Sequence, residues 1–402
     1  MKTTRIALPL LRLYSIMSRE TNPMLSPFLP LVFGLTGVCH VLLAQLAVQH
    51  EGRDAVQLSN EKIEVVITRT GGALASILLR DDRKRLNPMW NPDRLLREAG
   101  APPRQGPGIG HFLCVDGFGP TTQEEQAAGY GFHGEAHRIE LQNVQLTAHS
   151  LAYTAHLPLV QEKLARRISL APGEQIVLVE TELESELPFD RPILWAEHGT
   201  IGAPFLGLGN VVVDQSASQC RTKPYPETAR GLRTLPSGKD FLWPEAPGDQ
   251  GPVNLRQSPA RDGRMDHIGC LMDPQRELEF ITALNLNENL LIGYLFRRHD
   301  YPWVQHWMNY PANKAYAWGL EFGMQPYDMT KRDLYALTPM FGTPTLRWLP
   351  AKSKLRTRFF LFLTKVPAGF RKVDEVRLQT GQLVLEDRTA GQRVLLACAR
   401  TL

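Results

Sequence analysis

The chain has little net charge, few cysteines and few amphipathic helices. Its formal net charge is +4 over 402 residues. Residues 1–47 carry Lys2, Arg5, Arg12 and Arg19 against Glu20, a net +3 that leaves +1 for everything after them. So small an excess gives no electrostatic footprint for nucleic acid. Of five cysteines, Cys39 lies in an apolar N-terminal run, and Cys114, Cys220, Cys270 and Cys398 are widely spaced without a CxxC. That spacing indicates neither a zinc knuckle nor a redox motif and leaves their pairing open. One short stretch, "PDRLLREAG" (92–100), reads as a helix, stopped by Gly100 and two prolines. No repeat of fixed period is visible, which excludes solenoids and propellers.

What is abundant is period-2 patterning. "KIEVVITR" places Ile63, Val65 and Ile67 on one face of a strand, and "LLRDDRKRL" reads as a second strand after the turn "TGG". "EQIVLVETELES" sets Glu180, Glu182 and Glu184 opposite Val179, Thr181 and Leu183, and "LRTRFFLFLTKV" (355–366) is aromatic-rich and strand-like. The C-terminal segment reads as short strands broken by "TG" and "AG" turns. Gly (32) and Pro (30) are numerous, and 101–110 and 222–262 read as long loops. These features predict an all-β fold, one large antiparallel β-sandwich over 55–402. Ahead of it, "FLPLVFGLTGVCHVLLAQLAV" (28–48) follows four basic residues. Residues 1–47 therefore read as a signal peptide or N-terminal membrane anchor, and the protein as exported.

Unusual polar residues concentrate in three places. In "GYGFHGEAHRIEL" (129–141), His133, Glu135 and His137 would share one face of a strand. In "ILWAEHGTIGAPFLG" (193–207), Glu197 and His198 interrupt an apolar run. In "YAWGLEFGMQPYD" (316–328), Glu321 sits between Leu320 and Phe322, where a carboxylate is costly unless paired or used. Each histidine alone is explained by a structural hydrogen bond, and Glu321 by a buried arginine partner. The His133, Glu135 and His137 set suggests a metal-dependent β-sandwich enzyme as a third reading, although it lacks a helix-borne zinc signature.

Taken in order, these segments resemble the aldose 1-epimerase (galactose mutarotase-like) superfamily. "LSNEKIEVVITRTGGALASILL" is similar to that family's first hairpin, "FHGEAHR" to its histidine-glycine element, "EHGTIGAPFL" to the segment of its central histidine, and "GLEFGMQP" to the segment of its glutamate. The resemblance runs from about residue 55 to 366. It implies the galactose mutarotase-like supersandwich, Glu321 as general base, His198 as general acid and His133 as a substrate-binding histidine. It matches Asp266, in "RMDHIGC", to an aspartate that holds sugar hydroxyls. The family's early arginine-bearing stretch has no counterpart before His133.

Anomer exchange opens a cyclic sugar and recloses it on the other face. A base takes the proton from the C1 hydroxyl while an acid protonates the ring oxygen, which suits a carboxylate lifted by apolar neighbours and a histidine. Trp303 and Trp307 would offer an apolar platform to the sugar ring. Glu321 and His198 are expected to face each other across a cleft at roughly 5–7 Å, with His133 nearby. The expected partner is a sugar or oligosaccharide, with no nucleic acid, no metal and no cofactor, and with the membrane met only through the N-terminal segment. The alternative is a catalytically silent carbohydrate-binding protein on the same fold.

Overall fold

A computed structural model describes residues 46–100, 106 and 108–402. Two large antiparallel sheets, of 13 and 8 strands, hold most of the described strands. The first opens with Ala47–His50 paired to Arg53–Ser59, then runs through Ile63–Thr68 and Leu74–Leu79. Its centre is the sequence His111–Val115, Trp195–Gly202, Ala317–Gly323, Trp303–Asn309 and Met265–Leu271, each strand hydrogen-bonded to the next. The second contains the long strands Ile176–Ser185 and Lys354–Lys365. A three-stranded sheet, Glu375–Gln379, Gln382–Asp387 and Gln392–Ala397, closes the chain.

The all-β reading holds, and so do the helix at 92–98 and the strands at 63–68, 176–185 and 354–365. Two boundaries differ. The first sheet starts at Ala47, ahead of the expected 55, because Ala47–His50 extends an antiparallel ribbon with Arg53–Ser59. The second strand of the opening hairpin is "LASILL", Leu74–Leu79, whose apolar residues are buried, while the charged "RDDRKR" that follows forms turns. The leader expected at 1–47 lies outside the described residues up to position 45. Among the described residues, no helix is long and apolar enough to cross a membrane.

Alternation decides what each sheet face does. Val65, Ile67, Leu113 and Phe322 from the first sheet pack with Leu164, Ile168, Val179, Ile292 and Phe359 from the second in one buried core. Into this apolar layer the sequence also sends a charge. Glu197 is fully buried, and Arg166 from the Glu162–Leu170 strand of the other sheet reaches it through two hydrogen bonds of 3.0 and 2.8 Å. His111 Nε2 (2.8 Å), Tyr301 OH (3.2 Å) and Trp195 Nε1 (3.3 Å) complete the shell. Burial pushes the Glu197 carboxyl pKa up, but Arg166 and His111 outweigh it and hold the group at about 2.

The outer face of the 8-stranded sheet is covered by the C-terminal three strands through Phe280, Leu295, Phe360, Val376, Leu385 and neighbours. The outer face of the 13-stranded sheet carries two smaller apolar clusters, one around Phe112, Cys114 and Phe118, the other around Leu271, Trp303 and Tyr327.

The Arg166–Glu197 pair is the testable core of this architecture. Breaking a buried pair from one side leaves a desolvated charge and typically costs about 3–5 kcal/mol. Arg166→Met is expected to lower the unfolding free energy by that order in urea titration. The double variant Arg166→Met/Glu197→Leu should recover part of the loss, since neither charge is then stranded. A single variant as stable as wild type would show that the pair does not hold the sheets.

Candidate functional site

On the outer face of the 13-stranded sheet, five adjacent strands line up Phe112, His198, Glu321, Trp307 and His267. The register produces this row. His198 pairs with Phe112, and the flanking pairs Ala196–Gly323 and Thr200–Gly319 set His198 opposite Glu321. Trp307 pairs with Gly319 and with His267. Because Glu197 is committed to the core, period 2 turns His198 outward. These side chains form the floor of a cavity of about 290 Å³, whose walls include Trp90, Phe118, Phe132, His133, Arg138 and Asp328. The volume lies near the lower end of ordinary small-molecule sites, roughly 300–1,000 Å³.

Glu321 is 1% exposed, and neither carboxylate oxygen has a hydrogen-bond partner. His198 Nε2 lies 3.3 Å from Glu321 Oε1. Gly319, two residues back on the same face, makes room for the carboxylate, because a Cβ there would lie 2.2 Å from Oε1. Burial drives the Glu321 pKa well up, the Asp328 charge adds to this, and Lys223 opposes it. His198 is pushed the other way, to about 3, by burial first. Its Nδ1 lies 2.9 Å from the buried hydroxyl of Thr200, and its ring stacks on Phe112 with centroids 4.2 Å apart. Low dielectric thus disfavours charge on both members of a touching acid–base pair.

His133 completes the group at 5.1 Å between its ring centroid and that of His198. It has a φ of 67° and accepts a hydrogen bond at Nδ1 from the backbone N–H of Gly119 at 3.2 Å. On the far side, His267 Nδ1 lies 2.8 Å from Asp328 Oδ1, and Lys223 pairs with the same carboxylate. Gly269 lets that wall form, since a Cβ would lie 2.3 Å from the carbonyl oxygen of Pro326.

The structure thus brings together Glu321, His198 and His133. The first two touch at 3.3 Å instead of facing each other at 5–7 Å, because they occupy a cross-strand pair. Asp266 is not in the cavity. In "RMDHIGC" the apolar Ile268 and Cys270 face the core, and Asp266 shares their side of the strand. Its carboxylate accepts from Leu235 N at 2.8 Å, Thr234 N at 3.0 Å and the Thr234 hydroxyl. His267, its neighbour, takes the cavity face, a placement that the alternation of the segment already contained.

Trp303 shares the outer face but lies under Tyr327 and Met340, with Nε1 donating to the carbonyl of Pro344 at 3.2 Å, so Trp307 is the tryptophan that lines the cavity. Residues 133–138 are not a strand. They form a turn and a short 3-10 helix, Ala136–Arg138. His133 and His137 line the cavity, while Glu135 is held away by Leu159 N (3.0 Å) and Val160 N (3.2 Å). The three proposed metal donors are therefore not gathered at one point. The early arginine expected by resemblance is missing, but Arg138 stands in the cavity wall.

No sequence-family model matches the chain, and neither does any curated protein sequence. Solved structures do match. A candidate aldose 1-epimerase from Klebsiella pneumoniae aligns with a TM-score of 0.54 at 14% identity, over 78% of this chain and 79% of that one. A galactose mutarotase-like protein from Lactobacillus casei aligns at 0.54 and 14%, over 77% of this chain and 100% of its own. A candidate aldose 1-epimerase from Escherichia coli aligns at 0.54 and 12%, over 78% and 99%. The fold is therefore that of the galactose mutarotase-like proteins, and these structural neighbours are candidate aldose 1-epimerases and a mutarotase-like protein.

The buried histidines generate a pH prediction. His111, His133, His198, His267 and His306 all have pKa values lowered by burial from the ordinary 6.5. Below about 6.5 the unfolded chain takes up protons that the fold refuses, so they cost stability as pH falls. Glu321, Glu279 (to about 7) and Glu162 (to about 8) are raised by burial, so the fold keeps protons that the unfolded chain gives up as pH rises past about 4.5. The histidines outnumber these acids. Stability is expected to rise from pH 4.5 to about 6.5 and then decline, as urea midpoints across that range would show. A midpoint still climbing from pH 6.5 to 8 would contradict the assignment.

Proposed function

We propose that the cavity binds a sugar and exchanges its anomers, with Glu321 and His198 as the acid–base pair. The observation that carries this reading is a buried carboxylate without a hydrogen bond, in contact with a buried imidazole, on the wall of a cavity of monosaccharide scale. A carboxylate with a raised pKa is a stronger base once ionised, and an imidazolium with a lowered pKa is a stronger acid once protonated. In the empty cavity the single proton rests on Glu321. Sugar hydroxyls that donate to its unsatisfied oxygens favour the carboxylate, and the proton passes to His198.

Glu321 then takes the C1 hydroxyl proton while His198 protonates the ring oxygen, and the C1–O5 bond opens. Rotation about C1–C2 and the reverse transfers close the ring on the other face, leaving the pair as it began. Trp307 and Phe112 offer apolar surface to the ring's C–H groups. The likeness in fold to aldose 1-epimerases supports a sugar as the substrate class, although fold by itself does not fix chemistry.

Polarimetry on fresh α-anomers of glucose, galactose and related sugars tests the pair. Glu321→Gln and His198→Asn are each expected to lose roughly 10²-fold or more in kcat with little change in affinity, the usual scale of general acid–base catalysis. A wild type that binds sugar but gives no rate above background would identify a silent carbohydrate-binding protein instead. Equal rates for wild type and Glu321→Gln would remove Glu321 as the base.

We also propose export. The basic leader and apolar run support it, and so does the disulfide Cys220–Cys270, which joins directly paired residues of adjacent strands. N-terminal sequencing from the native host should show the leader processed or retained as an anchor. An intact Met1 on a cytoplasmic protein with both thiols free would end this reading.

A further inference from the structure

The mechanism leaves His267, a buried polar group of the cavity, unused. His267 is 6% exposed, lines the cavity and has no hydrogen-bond partner at Nε2. Its other nitrogen is committed, with Nδ1 at 2.8 Å from Asp328 Oδ1. Lys223 pairs with the same carboxylate and donates to the Asp328 carbonyl at 2.9 Å. Burial pushes the Asp328 pKa up, but His267 and Lys223 outweigh it and hold the group well below the ordinary carboxylate range. An ionised carboxylate can only accept, so the His267 proton sits on Nδ1. Burial keeps the ring neutral. Nε2 is then an unpaired, buried acceptor on a ring that lines the cavity, and a donor from a bound ligand would satisfy it.

His133 is fixed in the opposite sense. Its Nδ1 accepts from Gly119 N, so the neutral ring carries its proton on Nε2. The two histidines that line the same cavity as the Glu321–His198 pair therefore carry one donor and one acceptor.

We propose that His267, held in its Nδ1–H tautomer by Asp328 and Lys223, accepts a hydrogen bond from one substrate hydroxyl and makes the site select for a sugar bearing that hydroxyl. The inference rests on the reading of the cavity as a sugar site. Asp328 acts through His267 and is a positioning residue. The resemblance placed a carboxylate at 266 in the hydroxyl-holding role. In this chain Asp266 faces the core side, and a neutral acceptor one residue later stands at the cavity.

An unpaired buried acceptor costs about 1–3 kcal/mol, or roughly 5- to 150-fold in affinity, so a ligand lacking the hydroxyl should bind more weakly by that factor. Two measurements test this. The first is ¹⁵N NMR of ring-labelled histidines, with the His267 signals identified by their loss in His267→Gln. The expected state is Nδ1 protonated and Nε2 bare, becoming a mixture of tautomers in Asp328→Asn. A proton on Nε2 overturns the proposal.

The second is calorimetry with single-position deoxy and deoxyfluoro monosaccharides. At one position both substitutions should cost the wild type roughly 5- to 150-fold, because fluorine cannot donate. In His267→Leu that penalty should shrink to within about twofold while penalties at other positions persist. If His267→Leu does not fold, His267→Gln serves, since its amide N–H₂ can donate to fluorine and should relax the fluoro penalty alone. Binding in which no position is released by either variant overturns this proposal and leaves the acid–base pair standing. A wild type that binds no monosaccharide overturns the sugar reading itself, and the proposed ligand of His267 with it.

Discussion

The buried ion pair between Arg166 and Glu197 is the constraint on which the rest of the molecule turns. It joins the two large sheets across an otherwise apolar core, and it fixes which way one strand faces. With Glu197 drawn inward by Arg166, His111, Tyr301 and Trp195, the next residue can only point outward. The cross-strand partner of that residue is Glu321. A rotation or a one-residue slip of the Trp195–Gly202 strand would bury His198 in the core and strand Glu197 at the surface. The core charge therefore secures the register of the cavity floor more firmly than apolar packing alone, which tolerates exchange of one aliphatic residue for another.

Around that floor the cavity is controlled by hydrogen bonds that fix tautomers. Backbone N–H at Gly119 sets His133 and a carboxylate at Asp328 sets His267, while Phe112 and Trp307 line the cavity beside the Glu321–His198 contact. The outcome is a small, largely apolar basin that holds the unpaired Glu321 carboxylate and His267 Nε2. Two glycines, 319 and 269, contribute by what they lack, since a side chain at either would displace a carboxylate or a backbone carbonyl from the wall.

Much of this was legible in the chain. The strand segments were visible because one face of each sheet is core and the other is polar, which writes period 2 into the sequence. Glu321 and His198 stood out because each is a polar residue in an apolar run, a cost that only a partner or a use offsets. Asp266 and Trp303 were misplaced for different reasons. Asp266 sits in phase with Ile268 and Cys270, so the alternation of the segment already contains its face. Trp303 has the correct face, but only the loops that bring Tyr327 and Met340 over it show that it is covered.

By itself the sequence determined the all-β class, the strand faces and the two buried polar residues Glu321 and His198 as outliers in apolar runs, because alternation and the cost of a buried charge act locally along the chain. Tertiary structure decided everything that depends on register between distant strands and on the path of loops. It set Glu321 beside His198 at contact distance, turned Glu135 away from His133 and His137, and brought Asp328 against His267. Those placements rest on hydrogen bonds between residues far apart in the chain, where no local period carries the information.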